Sequence, residues 1–215
     1  MTDLKTNERR PDILEVISDL SNDEVFTPPA VANAMLDLLP AEVWTDPTLR
    51  WLDPGAKTGV FPREITRRLL DGLAKEIPDE DERLRHILTN MVFGIAITEL
   101  TAQISRRSVY CSKDASSQHS VVKMSTGAGN IWFNRVEHSY TNGRCRECGA
   151  SEEQMEKVNR DNHAYAFIHK TGREAVEGDM SMKFDVIVGN PPYQMTGGGG
   201  GTNDTPLYHY FVQQA

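Results

Sequence analysis

Two rhythms of apolar residues alternate along the chain. Short, nearly unbroken apolar runs occur at "LRWLD" (Leu49–Asp53), "NMVFGIAI" (Asn90–Ile97) and "FDVIVG" (Phe184–Gly189). Such runs, rich in β-branched and aromatic residues, predict strands buried on both faces of a parallel sheet. Between them the apolar residues fall at helical spacing. "VFTPPAVANAMLDLLP" predicts a helix capped by Thr27, with Pro28 and Pro29 in its first turn and Val31, Met35, Leu38 and Leu39 on its apolar face. "VFPREITRRLLDGLAKEI" and "TELTAQISRR" predict two more helices, and the acidic "PDEDER" (Pro78–Arg83) a solvated turn and helix start. A helical pattern through Ile13, Leu14, Ile17 and Leu20 precedes them, and "TPLYHYFVQQA" closes the chain. This order implies an α/β fold with a mostly parallel central sheet, its third strand near Ser108–Tyr110 or Asn130–Phe133.

The rhythm breaks in the middle. From Cys111 to Lys170 the chain is polar, with short β-like pieces ("SVVKMS", "NIWFNRVEHSY") and a compact "GRCRECGAS". The organisation expected is an N-terminal helical segment at 1–24, one half of the core at 25–110, a Cys- and His-containing insertion at 111–170, and the other half of the core at 171–215. The chain ends inside a helical pattern, so the core is expected to be C-terminally incomplete.

Composition narrows the class. With 215 residues, 39% hydrophobic and 25% charged, the chain suits one soluble domain carrying a small insertion. No apolar run approaches a membrane span and the start "MTDLKTNERR" has no signal-peptide core, so no membrane partner and a cytoplasmic location are expected. Three cysteines without an export signal favour thiols or metal ligands over disulfides. The net charge of −8 argues against a self-sufficient DNA binder, since phosphate contacts need a basic face and only Arg106, Arg107 and Lys113 offer a small one.

The third apolar run ends in "GNPPYQ". Two prolines cannot donate ladder hydrogen bonds, so Pro191 and Pro192 end the strand as a stiff elbow at its carboxyl end, where open α/β sheets bind ligands. The Asn190 side-chain carbonyl and the Pro191 backbone carbonyl are two acceptors, and Tyr193 is a stacking face. Together they suit an exocyclic amino group on a planar ring. A plain strand-ending turn, with Asn190 capping the next segment, is the structural alternative. The first apolar run turns through "DPGAKTG" into a helix, which brings a carboxylate (Asp53) and backbone N–H groups to a strand end, as in nucleotide-like cofactor sites. A phosphate-binding loop is excluded because Trp51 and Ala56 stand where glycines are required, and the dinucleotide glycine spacing is absent.

Taken in order, Phe26-Thr27-Pro28-Pro29, Asp53-Pro54 to Gly59, and Asn190-Pro191-Pro192-Tyr193 resemble the γ-class amino-methyltransferases, especially the adenine-N6 DNA methyltransferases of restriction–modification systems. The resemblance runs through nearly the whole chain except its Cys-rich middle. It implies a Rossmann-like methyltransferase fold using S-adenosylmethionine. Thr27, Pro28, Asp53, Pro54, Gly55 and Gly59 would bracket the cofactor. Asn190, Pro191, Pro192 and Tyr193 would receive an adenine flipped out of double-stranded DNA, and restriction or specificity subunits would be partners. Two positions depart from the pattern. Lys57 replaces a glycine two places before Gly59, and Ala96 stands where an acidic residue would hold the ribose, which leaves Glu99 as the nearest carboxylate. Methylation of another amide or amine, such as a protein glutamine, and a non-catalytic cofactor-binding fragment are the alternatives.

Cys145-x-x-Cys148-Gly149 forms a knuckle suited to half of a tetrahedral zinc site of zinc-ribbon type. Cys111 and His138 are the expected completing ligands, with His163 and His119 as rivals, and unligated thiols in a tight turn are the alternative.

Overall fold

The computed structural model describes residues 26–153, 163–169, 183–192, 194–195 and 205–215. The helical pattern expected within 1–24, the glycine run at Gly197–Gly201 and Tyr193 lie outside the described residues. Helix α1 (Pro29–Leu36) starts on a proline, whose missing N–H costs nothing at a helix start. Its cap is Pro28, so the capping role expected of Thr27 is not observed. The buried stripe is Ala32 and Leu36, flanked by Met35 and Leu39, while Val31 and Leu38 are exposed. The helix therefore buries Ala32 and Leu36 where Val31 and Leu38 were expected, and its stop at Leu36 leaves Leu38 in the following turn.

Strand β1 (Trp51–Ala56) is buried along its length. Gly59, at φ 75°, then opens helix α2 (Val60–Gly72), whose Phe61, Ile65 and Leu69 are buried. Asp79 caps α3 (Glu80–His86) by accepting from Glu82 N at 2.8 Å. A π-helical turn, Ile87–Met91, leads into β2 (Val92–Ala96), which is why this strand starts later than the apolar run that predicts it. Thr98 and Thr101 form a reciprocal capping box at the start of α4 (Glu99–Tyr110). Residues Ser108–Tyr110 are thus helical, and the third strand of the sheet is β3 (Ile131–Trp132), the other of the two expected positions.

Beyond β3 the chain builds a second unit. Strand β4 (Val136–Glu137) pairs antiparallel with β7 (His163–Ala164), and β5 (Tyr140–Thr141) makes a hairpin with β6 (Arg144–Cys145). The hairpin turns at Asn142 and Gly143, both with positive φ, the conformation that an Asn-Gly pair adopts readily. Strand β8 (Val186–Ile187) then returns to the sheet. The short antiparallel pair β9 (Gln194–Met195) and β10 (Thr205–Pro206) and helix α5 (Tyr208–Gln214) end the chain.

The main sheet has the order β3-β2-β1-β8, parallel throughout. Its side chains alternate between two buried faces, as a pleat of period two requires. Trp51, Val92, Val186 and Val188 face α1 and α2. Leu52, Phe93, Ile95, Trp132 and Ile187 face the opposite layer, made of residues 136–150, 164–168 and α5. The fold is thus an α/β sandwich of Rossmann-like type in which a Cys/His unit covers the second face. Each fully buried large apolar side chain here contributes about 1.5–3 kcal/mol.

The α2–α4 contact depends on Gly59. A Cβ there would lie 2.7 to 2.9 Å from Ser105 Oγ, Cα and carbonyl oxygen. Gly59→Ala combines left-handed strain of about 1–2 kcal/mol with overpacking of about 1–3 kcal/mol, so at least about 2 kcal/mol of stability is expected to be lost. Urea unfolding checks this, and an unchanged midpoint contradicts it.

Candidate functional site

Because β1, β2 and β8 are parallel, their carboxyl ends emerge along one edge. Val188 N donates to Leu52 O at 2.9 Å, which carries the β8 pairing up to the elbow. There the two predicted motifs meet. A Cβ on Gly189 would fall 2.5 Å from Asp53 Oδ1, and one on Gly55 would fall 3.6 Å from Pro191 Cα. Glycine at 189 is therefore what lets the Asp53 carboxyl lie against the elbow backbone. Asn190 Nδ2 donates to Thr27 Oγ1 at 3.0 Å, a contact spanning 163 residues of sequence. Thr27, Pro28, Asp53, Pro54, Gly55, Asn190, Pro191 and Pro192 thus belong to one locality, with Gly59 turning the chain away into α2.

Asp53 is buried, and its Oδ1 accepts from Gly55 N at 3.1 Å. Burial raises its pKa to about 7, against the opposing pull of that hydrogen bond and of the Lys57 charge. Lys57, which stands in place of a glycine in the resembled motif, therefore lies close enough to favour the Asp53 anion. Glu99 is exposed at the first position of α4 and not in the buried part of the crevice, while Ala96, at the end of β2, is buried and offers no carboxylate. Of the small basic patch, Arg106 is engaged in structure, donating from Nε and Nη2 to the Ile131 carbonyl at 3.1 and 3.0 Å.

A second constellation lies on the opposite layer. His138, Cys145, Cys148 and His169 are all buried, with one potential ligand atom of each within 4.8 Å of the others. Three of them match the expected set and the fourth does not. Cys111 is exposed at the left-handed C-terminal cap of α4 and is absent from the cluster. The reason is topological. Helix α4 packs on the side of the sheet that Ile131 faces, whereas the knuckle packs on the side that Trp132 faces. His119 is exposed in the segment after α4, and His163 pairs in register with Glu137 on β4. His169 was not foreseen; the available signal is a histidine ending the apolar run "AYAFIH" close after the knuckle. Burial pushes the Cys148 thiol up to about 12, with Cys145 and Glu147 adding to the rise and a hydrogen bond from the Ala150 backbone opposing it.

A parallel sheet in which the acidic later half of β1 lies against an Asn-Pro-Pro elbow after β8 defines a Rossmann-like methyltransferase class. Residues 90–215 match the family described as Eco57I restriction-modification methylase. The chain belongs to that family. It is also 36% identical, over a 237-residue alignment, to a Mycoplasma pneumoniae protein described as an uncharacterized adenine-specific methylase. That alignment takes in 99% of this chain and 56% of the relative, so the chain spans about half of the relative's length. No helix among the described residues is long and apolar enough to cross a membrane.

Asp53 holds its proton more tightly in the folded chain, where the pKa is about 7, than at its ordinary value of 3.8. The stability this carboxyl contributes is thus fully present below about 4 and is lost as pH rises through about 7. Asp53→Asn, which keeps the acceptor and removes the titration, is expected to flatten that part of the profile. The difference between the two proteins' urea midpoints across pH 4 to about 8 tests it; a constant difference contradicts the assignment.

Proposed function

We propose that the chain is the catalytic part of a DNA adenine-N6 methyltransferase that uses S-adenosylmethionine. The observation carrying this reading is the meeting of Asp53-Pro54-Gly55 with Gly189-Asn190-Pro191 at one sheet edge, with Asn190 oriented by Thr27. Family membership and the relative's description support methyl transfer and adenine as its target. A buried carboxyl raised to about 7 fits a cationic ligand, whose charge would offset the cost of ionising Asp53 in a dry site. Asp53, Pro54, Gly55 and Gly59 would hold the cofactor, with Thr27 and Pro28 closing one side and Glu99 available to the ribose from the first turn of α4. When bound, S-adenosylmethionine supplies an electrophilic methyl group on a sulfonium.

The chain's own residues then act by placement. With Nδ2 given to Thr27, the Asn190 amide turns Oδ1 the other way, to accept one hydrogen of the target amine. The Pro191 carbonyl, which no ladder partner requires, accepts the other. Holding both hydrogens increases lone-pair character on the nitrogen. Tyr193 supplies the face on which the flipped base stacks, and Pro192 keeps the elbow stiff. Little proton transfer is needed before the nitrogen reacts, so positioning and preorganised acceptors carry the rate. The net charge of −8 makes DNA affinity depend on contacts from outside these 215 residues. Double-stranded DNA is the proposed substrate, and restriction or specificity subunits are the proposed partners.

Calorimetry on the chain is expected to detect S-adenosylmethionine, and Asp53→Ala to weaken it by at least about tenfold, the scale of one charge-assisted hydrogen bond. Affinity for the cationic cofactor should rise with pH through about 7 as Asp53 ionises, a dependence that Asp53→Asn removes. Transfer of labelled methyl to duplex DNA, assayed in a polypeptide extended to the relative's length, is expected to fall about 100-fold or more in Asn190→Ala with cofactor affinity retained. Tyr193→Phe should be mild and Tyr193→Ala severe, since stacking uses the ring face. Label entering protein glutamine and never DNA would overturn the substrate while leaving the cofactor reading intact. Cofactor binding without transfer to any acceptor would favour the non-catalytic alternative.

A further inference from the structure

The Cys/His cluster takes no part in that chemistry, yet four groups able to ligate a metal converge in the dry interior. His138 is 6% exposed, Cys145 4%, Cys148 0% and His169 1%. With Zn–N near 2.0–2.1 Å and Zn–S near 2.3 Å, a nitrogen and a sulfur on one tetrahedral zinc lie about 3.6 Å apart. Cys148 Sγ is 3.3 Å from His138 Nδ1, and Cys145 Sγ is 3.7 Å from His169 Nε2. Both distances bracket that edge. The two imidazoles meet edge to face, with ring centroids 5.2 Å apart, so neither ring is stacked on the other.

The surroundings are those of a metal knuckle. Cys145 N donates to Ala150 O at 2.8 Å and Gly149 N to Cys145 O at 3.0 Å, folding the loop tightly around the two sulfurs. Gly149 takes φ 73°, the left-handed conformation that lets the loop close after Cys148. His169 Nδ1 lies 2.8 Å from the Tyr165 carbonyl. A hydrogen bond there fixes Nδ1 as the donor and leaves the Nε2 lone pair for a metal, the outer-sphere support that ligating histidines commonly have. We infer that His138, Cys145, Cys148 and His169 form a closed, structural Cys2His2 zinc site.

Its role follows from where it sits. Cys145 and Cys148 belong to the same buried cluster as Leu52 of β1, Phe93 and Ile95 of β2, and Phe211 of α5, with Phe184 and Ile187 packed against it. One ion would tie residues 138–148 to His169 and so hold together the layer that covers this face of the sheet. The covering layer is built from two-residue strands, β4 to β7, which are too short to be stable by their own pairing. The metal supplies the cohesion that longer helices would otherwise provide. It does so behind β8, whose end carries the Asn190 elbow.

The 215-residue chain, purified without chelator, is expected to carry one zinc per molecule by elemental analysis. Cobalt(II) exchanged into it should give the intense d–d absorption of a tetrahedral ion together with thiolate charge transfer. Removing the metal should lower the melting temperature, and zinc should restore it. His169→Ala should weaken zinc binding by more than about 100-fold, beyond the ~10–100-fold typical of an outer-sphere partner, whereas Cys111→Ser should retain the full zinc content. If His169→Ala fails to fold, His169→Cys takes its place: its cobalt form is expected to gain charge-transfer intensity from a third thiolate, and an intensity unchanged from the unaltered chain overturns His169 as a ligand. A metal-free chain whose melting temperature zinc does not change overturns the site, as does full zinc retention in a folded His169→Ala protein.

Discussion

Everything at the candidate active edge depends on β8 lying parallel beside β1. Parallel neighbours deliver their carboxyl ends to the same side, and the Val188 N–H to Leu52 carbonyl bond carries the pairing to the last residue before the elbow. Beyond that bond the two chains come closer than side chains allow. Gly189 passes over Asp53 where a Cβ would stand 2.5 Å from the carboxyl oxygen. The acid is buried by that approach, and burial is what raises its pKa to about 7. One backbone contact thus creates both the proximity of the two motifs and the electrostatics of the crevice.

A sheet buried on both faces needs two covering layers, and this chain makes them by different means. On the side of Trp51 and Val92, helices α1 and α2 pack in the ordinary way, with α4 brought against α2 at Gly59. The side of Leu52 and Phe93 is covered by a loop-rich unit and one short helix, α5, whose Phe211 stacks on Phe167. The paired strands of that unit are two residues each, so side-chain contacts must add to its order. The four converging Cys and His residues, together with Tyr165 and Phe167 against Phe211, are where that order is concentrated.

Much of this was legible locally. Val92–Ala96, Val186–Ile187 and the Trp51–Leu52 start of β1 announce themselves as apolar runs because a strand packed on both faces has little polar side to show. Strand β1 nevertheless continues past the expected end at Asp53 to Ala56, and β8 is only half-buried. Thr98 begins a helix because its own hydroxyl satisfies the backbone. Where expectation and structure part, the deciding influence came from elsewhere in the fold. Thr27 has the chemistry of a cap, but its hydroxyl meets Asn190 across 163 residues. Val31 and Leu38 have the hydropathy of core residues, but the helix turns Ala32 and Leu36 to the core and leaves Val31 in solvent, and Leu38 lies in the turn beyond its end. The stretch Ser108–Tyr110 reads as a strand only until the capping box upstream is seen to extend α4 through it.

By itself the sequence determined three of the four main-sheet strands and the helices between them, the proline stop after β8, and which residues carry carboxylate, amide and thiol chemistry. These properties are set within a few residues, by pleat, helical phase and the missing proline N–H. Only the tertiary structure decided which of those groups meet. It joined Asp53 to Gly189 and Thr27 to Asn190, since strand order is a choice among distant partners. It also put His169 beside the knuckle and left Cys111 out. The side of the sheet on which α4 packs depends on the sheet's alternating faces, and nothing within "YCSK" records which face that will be.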